Sequence, residues 1–109
     1  MELTDIPFDV TDWAAVLPTE HAGETGVALW RTRQCGRIRV RMVEYSANYA
    51  ANHWCEKGHI VFCVAGELRT ELADGRTYQL RPGMSYQVAD GGDPHRSSTA
   101  GGATLFIVD

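Results

Sequence analysis

The 109-residue sequence predicts a small all-β domain of the sandwich or barrel type. Three observations carry that prediction. Short segments alternate polar and apolar residues, the two-residue period of a half-buried strand. Turn-forming groups separate these segments at intervals of about 8 to 12 residues. After residue 28, no amphipathic stretch is long enough for a crossover helix, which disfavours a parallel α/β sheet.

The elements follow in order. Residues 1–28 hold six of the fourteen acids and no Lys or Arg, and read as an irregular N-terminal arm. Within it, Asp12-Trp13 to Leu17 predicts one helical turn stopped by Pro18, and the rest reads as loop. Residues 29–109 form the β domain. Arg37 to Met42 alternates, with Ile38, Val40 and Met42 as the apolar set. Ile60 to Val64 is an apolar run that suits a buried strand and stops at Gly66. Glu67 to Leu72 alternates again, and Asp74-Gly75 supplies a hairpin turn before Thr77 to Leu80. Arg81-Pro82-Gly83 turns the chain into Ser85–Ala89, and Asp90 to Pro94 is a loop leading into His95. Ala103 to Val108 closes the domain, for about eight strands in all.

Composition removes several classes of function. The net charge is −4, too acidic for a dedicated nucleic-acid binder that must neutralise phosphates. No apolar run reaches the roughly 18 residues of a membrane helix, so no membrane partner is expected. The opening MELTDIPFDVTDW has no basic-then-apolar leader, and three cysteines cannot all pair within one chain. Both features predict a reduced, cytoplasmic setting with free thiols. No P-loop, dinucleotide fingerprint or Ser/His/Asp set is present. Five arginines between Arg31 and Arg41 read as a solvated face, or as partners for the N-terminal acids.

The chemistry concentrates in Asn52-His53-Trp54-Cys55-Glu56-Lys57-Gly58-His59. His53, Cys55 and His59 share odd parity, so an extended chain points them to one face. Cys63 shares that parity but is flanked by apolar residues and reads as core. His95, after Pro94, is a fourth candidate. Imidazole and thiolate together suit Zn, Fe, Ni or Cu rather than Mg or Ca. Tyr86, Gln87 and Glu44 are candidate pocket residues, and Glu44 falls in the Ile38, Val40 and Met42 parity set. Trp30 reads as packing or a dimer seam, and His21 as a solvent-exposed loop residue.

This arrangement resembles the cupin superfamily. The first cupin motif places a His-x-His pair three or four residues before a Glu, with a Gly after six more. Here His53-x-Cys55, three residues, His59, six residues and Gly66 match that spacing, with Cys55 for the second His and His59 for the Glu. Gly92-Asp93-Pro94-His95 matches the Gly-x-x-His of the second motif, with Asp90 in its Pro position and Thr99 in its Asn position. The Asn-His-Trp-Cys run also looks like the small DHCW-motif cupin fold proteins, with Asn52 in the Asp position.

The resemblance implies a double-stranded β-helix, the cupin jelly-roll barrel. It implies metal ligation by His53, Cys55, His59 and His95. Two functions remain open: a metal-dependent enzyme acting on a small polar metabolite, or a non-catalytic small-ligand, metal-binding or sensing module. Cupins commonly dimerise, so a homodimer is expected through the arm and the Ile60/Phe62/Val64 side.

Overall fold

The computed structural model describes residues 2–109. A single 3₁₀ turn, η1 (Trp13–Ala15), is followed by nine strands: β1 (Thr19–Ala22), β2 (Val27–Cys35), β3 (Ile38–Tyr45), β4 (His59–Gly66), β5 (Leu68–Leu72), β6 (Thr77–Leu80), β7 (Ser85–Val88), β8 (His95–Ser98) and β9 (Ala103–Val108). They form two sheets rather than one closed barrel. The larger runs β1-β2-β3-β9-β4-β7, the smaller β6-β5-β8. All named pairings are antiparallel.

The predicted helical turn is present but shorter. Asp12 accepts a hydrogen bond from the Ala14 amide and caps it. The arm is less irregular than its sequence suggests. The stretch read as loop contains β1, which pairs with β2 from Thr19↔Trp30 to Ala22↔Val27. Its register is carried by backbone hydrogen bonds, so a polar strand such as Thr-Glu-His-Ala leaves little apolar signal.

The core lies between the sheets. Val43, Val61, Cys63, Leu68 and Leu105 are the largest fully buried side chains. Strict alternation on β9 supplies Ala103, Leu105 and Ile107 to this layer. Each buried Leu or Val contributes about 1.5–3 kcal/mol through removal of apolar surface from water.

One parity is reversed on β3. Val43 and Tyr45 face inward, and Arg39 and Arg41 share their side, lining an interior cavity. Val40 and Met42 are then on the outer face, beside Phe106 of β9, against which Trp13 packs edge-on at 6.2 Å. The arginines therefore do not form a solvated face throughout. Arg33 meets Asp9 of the arm at 2.8 Å, as the charge pattern suggested, but Arg39 and Arg41 turn inside because an interior carboxylate compensates them. Glu44 goes outward, exposed and paired with Arg31 at 3.5 Å.

Gly66 is where the chain leaves the large sheet for the small one. The β4–β9 register shifts between Cys63 and Ala65, a bulge that bends the strand. Gly66 has φ +73°, and a Cβ there would collide with the Gly102 carbonyl oxygen and sit 2.8 Å from Ala103 Cα. Backbone contacts cannot yield as a flexible side chain would. We expect Gly66→Ala to destabilise the fold by at least about 2 kcal/mol, read as a lower urea midpoint.

Candidate functional site

Three donors converge between the sheets. One ligand atom each from Cys55, His59 and His95 lies within 4.8 Å of the other two. Each comes from a different part of the chain. His59 opens β4 in the large sheet, where it pairs with Val88. His95 opens β8 in the small sheet, where it pairs with Leu72. Cys55 lies in the connection before β4 and is fixed by an isolated antiparallel bridge to His95. The Cys55 amide donates to the His95 carbonyl at 2.7 Å, and the His95 amide donates back at 3.0 Å. The Asp90–Pro94 loop is anchored to the Glu56–Gly58 bend by two bonds. The Gly58 amide donates to Asp90 Oδ1 at 2.7 Å, and the Gly91 amide to the Glu56 carbonyl at 2.9 Å.

The imidazole tautomers favour a cation. The carbonyl oxygen of Asp93, 2.9 Å from His95 Nδ1, can only accept, so His95 carries its proton there and presents a bare Nε2. That Nε2 lies 2.8 Å from His59 Nε2. His59 Nδ1 is sealed from solvent without a hydrogen-bond partner and faces the Asp109 carboxylate at 3.6 Å. A proton on His59 Nε2 serves the His95 contact but leaves a lone pair facing a carboxylate. A proton on Nδ1 serves Asp109 but brings two lone pairs together. An ion held by His59 and His95 would remove the conflict, since both rings could then keep Nδ1–H toward oxygen acceptors. The residues present therefore fit a borderline or soft divalent ion.

Burial, reinforced by the neighbouring His95, lowers the His59 pKa from its ordinary 6.5 to about 4. The His59 ring is thus neutral and a competent ligand at neutral pH. A consequence for the metal-free protein follows. Between about pH 6.5 and pH 4 the unfolded chain binds a proton at His59 that the folded chain does not. Stability then falls as pH falls through this window. Discounted for partial solvent screening, the loss is about 2–3 kcal/mol. Urea denaturation at several pH values should show it, and His59→Gln should flatten the curve.

The other expected site residues separate. His53 is exposed on the rim of the same cavity, its Nδ1 2.6 Å from Asn52 Oδ1, and it is not part of the three-donor group. Tyr86 lines the cavity with its hydroxyl 3.2 Å from His59 Nε2, and burial pushes its pKa up to about 12, so the phenol stays protonated. Gln87, next along β7, is exposed on the outside, and Glu44 is outside as well. Cys63 is fully buried core, as its apolar flanks indicate.

The cavity measures about 290 Å³. Its floor holds residues with no obvious signal in the sequence. Asp109 has a fully buried side chain that accepts two hydrogen bonds from Arg39, at 2.9 and 3.0 Å, and one from Arg41 at 3.0 Å. Burial tends to raise the Asp109 pKa, but the two guanidiniums more than offset it, and the carboxyl ends below its ordinary value. Arg41 also stacks over Trp30 at 4.4 Å, and His21 stacks on that ring at 3.8 Å. Trp30 packs against the core as a cavity wall, and His21 is its support rather than a free loop residue. The clue to Asp109 was parity: it continues the inward series Ala103, Leu105, Ile107.

No family model matches the chain, and no curated protein resembles it in sequence. Solved structures do resemble it. A cupin-2 domain protein from Shewanella frigidimarina superposes with a TM-score of 0.61 at 15% identity, covering 73% of this chain and 78% of that one. The chain has the cupin fold. A predicted oxalate decarboxylase from Thermotoga maritima matches this chain with a TM-score of 0.78 at 11% identity, over 92% and 96% of the two chains. Fe(II)-HppE, seen with an alternative substrate, matches with a TM-score of 0.76 at 16% identity, over 99% of this chain and 62% of that one. In this chain the two sheets bring His59 and His95 together.

Proposed function

We propose that this cupin binds one divalent transition-metal ion, Zn, Fe, Ni or Cu, through Cys55, His59 and His95, and acts as a metal-dependent enzyme on a small polar metabolite. The convergence of the three donors within 4.8 Å carries this reading. A structural neighbour described as an Fe(II) protein supports it. When bound, the ion supplies Lewis acidity, or an O₂ site if it is iron. His95 is oriented by the Asp93 carbonyl and His59 by Asp109, while Tyr86 holds a phenolic proton 3.2 Å from His59 Nε2.

Three protein ligands leave coordination positions free, the arrangement of catalytic rather than structural sites. The rim position of His53 supports a second reading. If His53 is the fourth ligand, the site closes and serves binding or sensing. Elemental analysis with X-ray absorption spectroscopy on the purified protein separates the two. Three protein ligands plus oxygen support the enzyme; three imidazoles and one sulfur support the sensor. No bound metal after incubation with Zn, Fe, Ni or Cu overturns both.

A cytoplasmic homodimer belongs to the same proposal. No helix among the described residues is long and apolar enough to cross a membrane. Ile60, Phe62 and Val64 form an outward row, 45, 40 and 44% exposed, that suits a second copy. Light scattering should give twice the chain mass, and Phe62→Asp should return it to 12.0 kDa.

A further inference from the structure

We propose that the cavity is selective for a small monocarboxylate, anchored by the Arg41 guanidinium on the Trp30 face. The inference rests on the proposed metal site for the position of the ligand's reactive end, and on Arg41 alone for the anchor.

Charge is the first argument. Arg41 is 6% exposed, and it shares one carboxylate with Arg39. Asp109 is the only acid lining the cavity among the described residues, whereas Arg39, Arg41, Lys57 and Arg96 all line it. The charged side chains that line the cavity are therefore mostly cationic. Leaving a buried charge without a counterion is costly. A Cys55 thiolate would offset one charge and a divalent ion would add two, so the loaded site remains positive.

Donor geometry is the second. Asp109 takes two hydrogen bonds from Arg39 but only one, from Nη2, of Arg41. Arg41 Nε has no partner. Stacking on Trp30 at 4.4 Å fixes the plane of the fork. A planar fork in a fixed orientation matches a carboxylate better than a point charge does. Tyr45 and Tyr49, stacked at 4.1 Å, line the same cavity as neutral phenols able to donate. At about 290 Å³ the space lies at the small end of ligand pockets. A small carboxylate can lie in the plane of the fork within that space.

The test is calorimetric titration of the full chain with sodium pyruvate, sodium phosphate and sodium chloride. The protein is first stripped of metal with 1,10-phenanthroline, because a carboxylate chelator would compete. A parallel series uses zinc-loaded protein. Pyruvate should bind the metal-free chain saturably, with phosphate weaker and chloride weakest. Arg41→Met should weaken pyruvate at least tenfold, and Trp30→Leu three- to tenfold. If Arg41→Met fails to fold, Arg41→Lys keeps the charge and loses the fork, and should still weaken pyruvate at least threefold. Unchanged affinity in Arg41→Lys and Trp30→Leu, phosphate as tight as pyruvate, or no pyruvate binding in either series overturns the inference. Zinc uptake, measured on the same samples, reports the metal site separately. Zinc bound without pyruvate sinks only the carboxylate anchor, and pyruvate bound without zinc sinks only the metal reading.

Discussion

His95→Ala should abolish metal binding, weakening it more than about 100-fold, while His53→Ala should weaken it less than tenfold. The contrast follows from where each ring sits. His95 is 3% exposed, its Nδ1 is committed to the Asp93 carbonyl, and its Nε2 faces His59 at 2.8 Å. Its strand is further clamped to Cys55 by two backbone hydrogen bonds. His53 is exposed and held to Asn52. The same contrast should appear in stability. A ligand that binds only the folded chain at a thousand times its Kd stabilises by about 4 kcal/mol. Excess zinc should therefore raise the Tm of the wild type and of His53→Ala by several degrees, and leave His95→Ala unmoved. Isothermal titration and thermal denaturation with and without zinc check both.

Asp109→Ala should destabilise the protein by about 3–5 kcal/mol, the range for stranding a buried charge. The carboxylate is fully buried, and it is the shared partner of Arg39 and Arg41 at 2.9–3.0 Å. Its loss leaves Arg41, 6% exposed, with neither ion pair nor solvent, and removes the acceptor facing His59 Nδ1. Arg39 keeps a partial route to water at 30% side-chain exposure, so most of the cost falls on Arg41. Asp109→Asn keeps the shape and one acceptor oxygen and should cost about half as much. Urea denaturation at pH 7 measures both. A loss below about 1 kcal/mol for Asp109→Ala would mean that the arginines find solvent elsewhere.

Much of the β architecture was legible because strand period and turn chemistry agree locally. The Asp74-Gly75 hairpin is an instance. Arg76 donates its amide to Asp74 Oδ1, and Gly75 takes φ +97°. Cys63 was legible as core because apolar neighbours leave it no polar destination. The site was legible in part: Cys55, His59 and His95 converge, and the spacing that matched the cupin motifs pointed to all three. His53 separated from them because parity along the chain does not survive the bends around residues 52–58, where no regular strand runs.

Arg39 and Arg41 depart from their sequence pattern for a different reason. Alternation says that residues 39 and 41 share a face, but not which face is inside. Polarity usually decides it, and on β3 an apolar outer face under Trp13 and an inner carboxylate 68–70 residues away reverse the usual choice. Such long-range compensation leaves no local trace. The same reversal puts Glu44 on the outer side of that strand.

The central claim is that one ion sits among Cys55, His59 and His95. Cobalt(II) substitution tests it most directly, because a thiolate bound to Co(II) gives a ligand-to-metal charge-transfer band in the near ultraviolet. The wild type should bind one cobalt per chain and show that band. Cys55→Ser should lose the band, whereas Cys63→Ser and Cys35→Ser should keep it. A wild-type spectrum without the band, or one that Cys55→Ser leaves unchanged, would contradict the account.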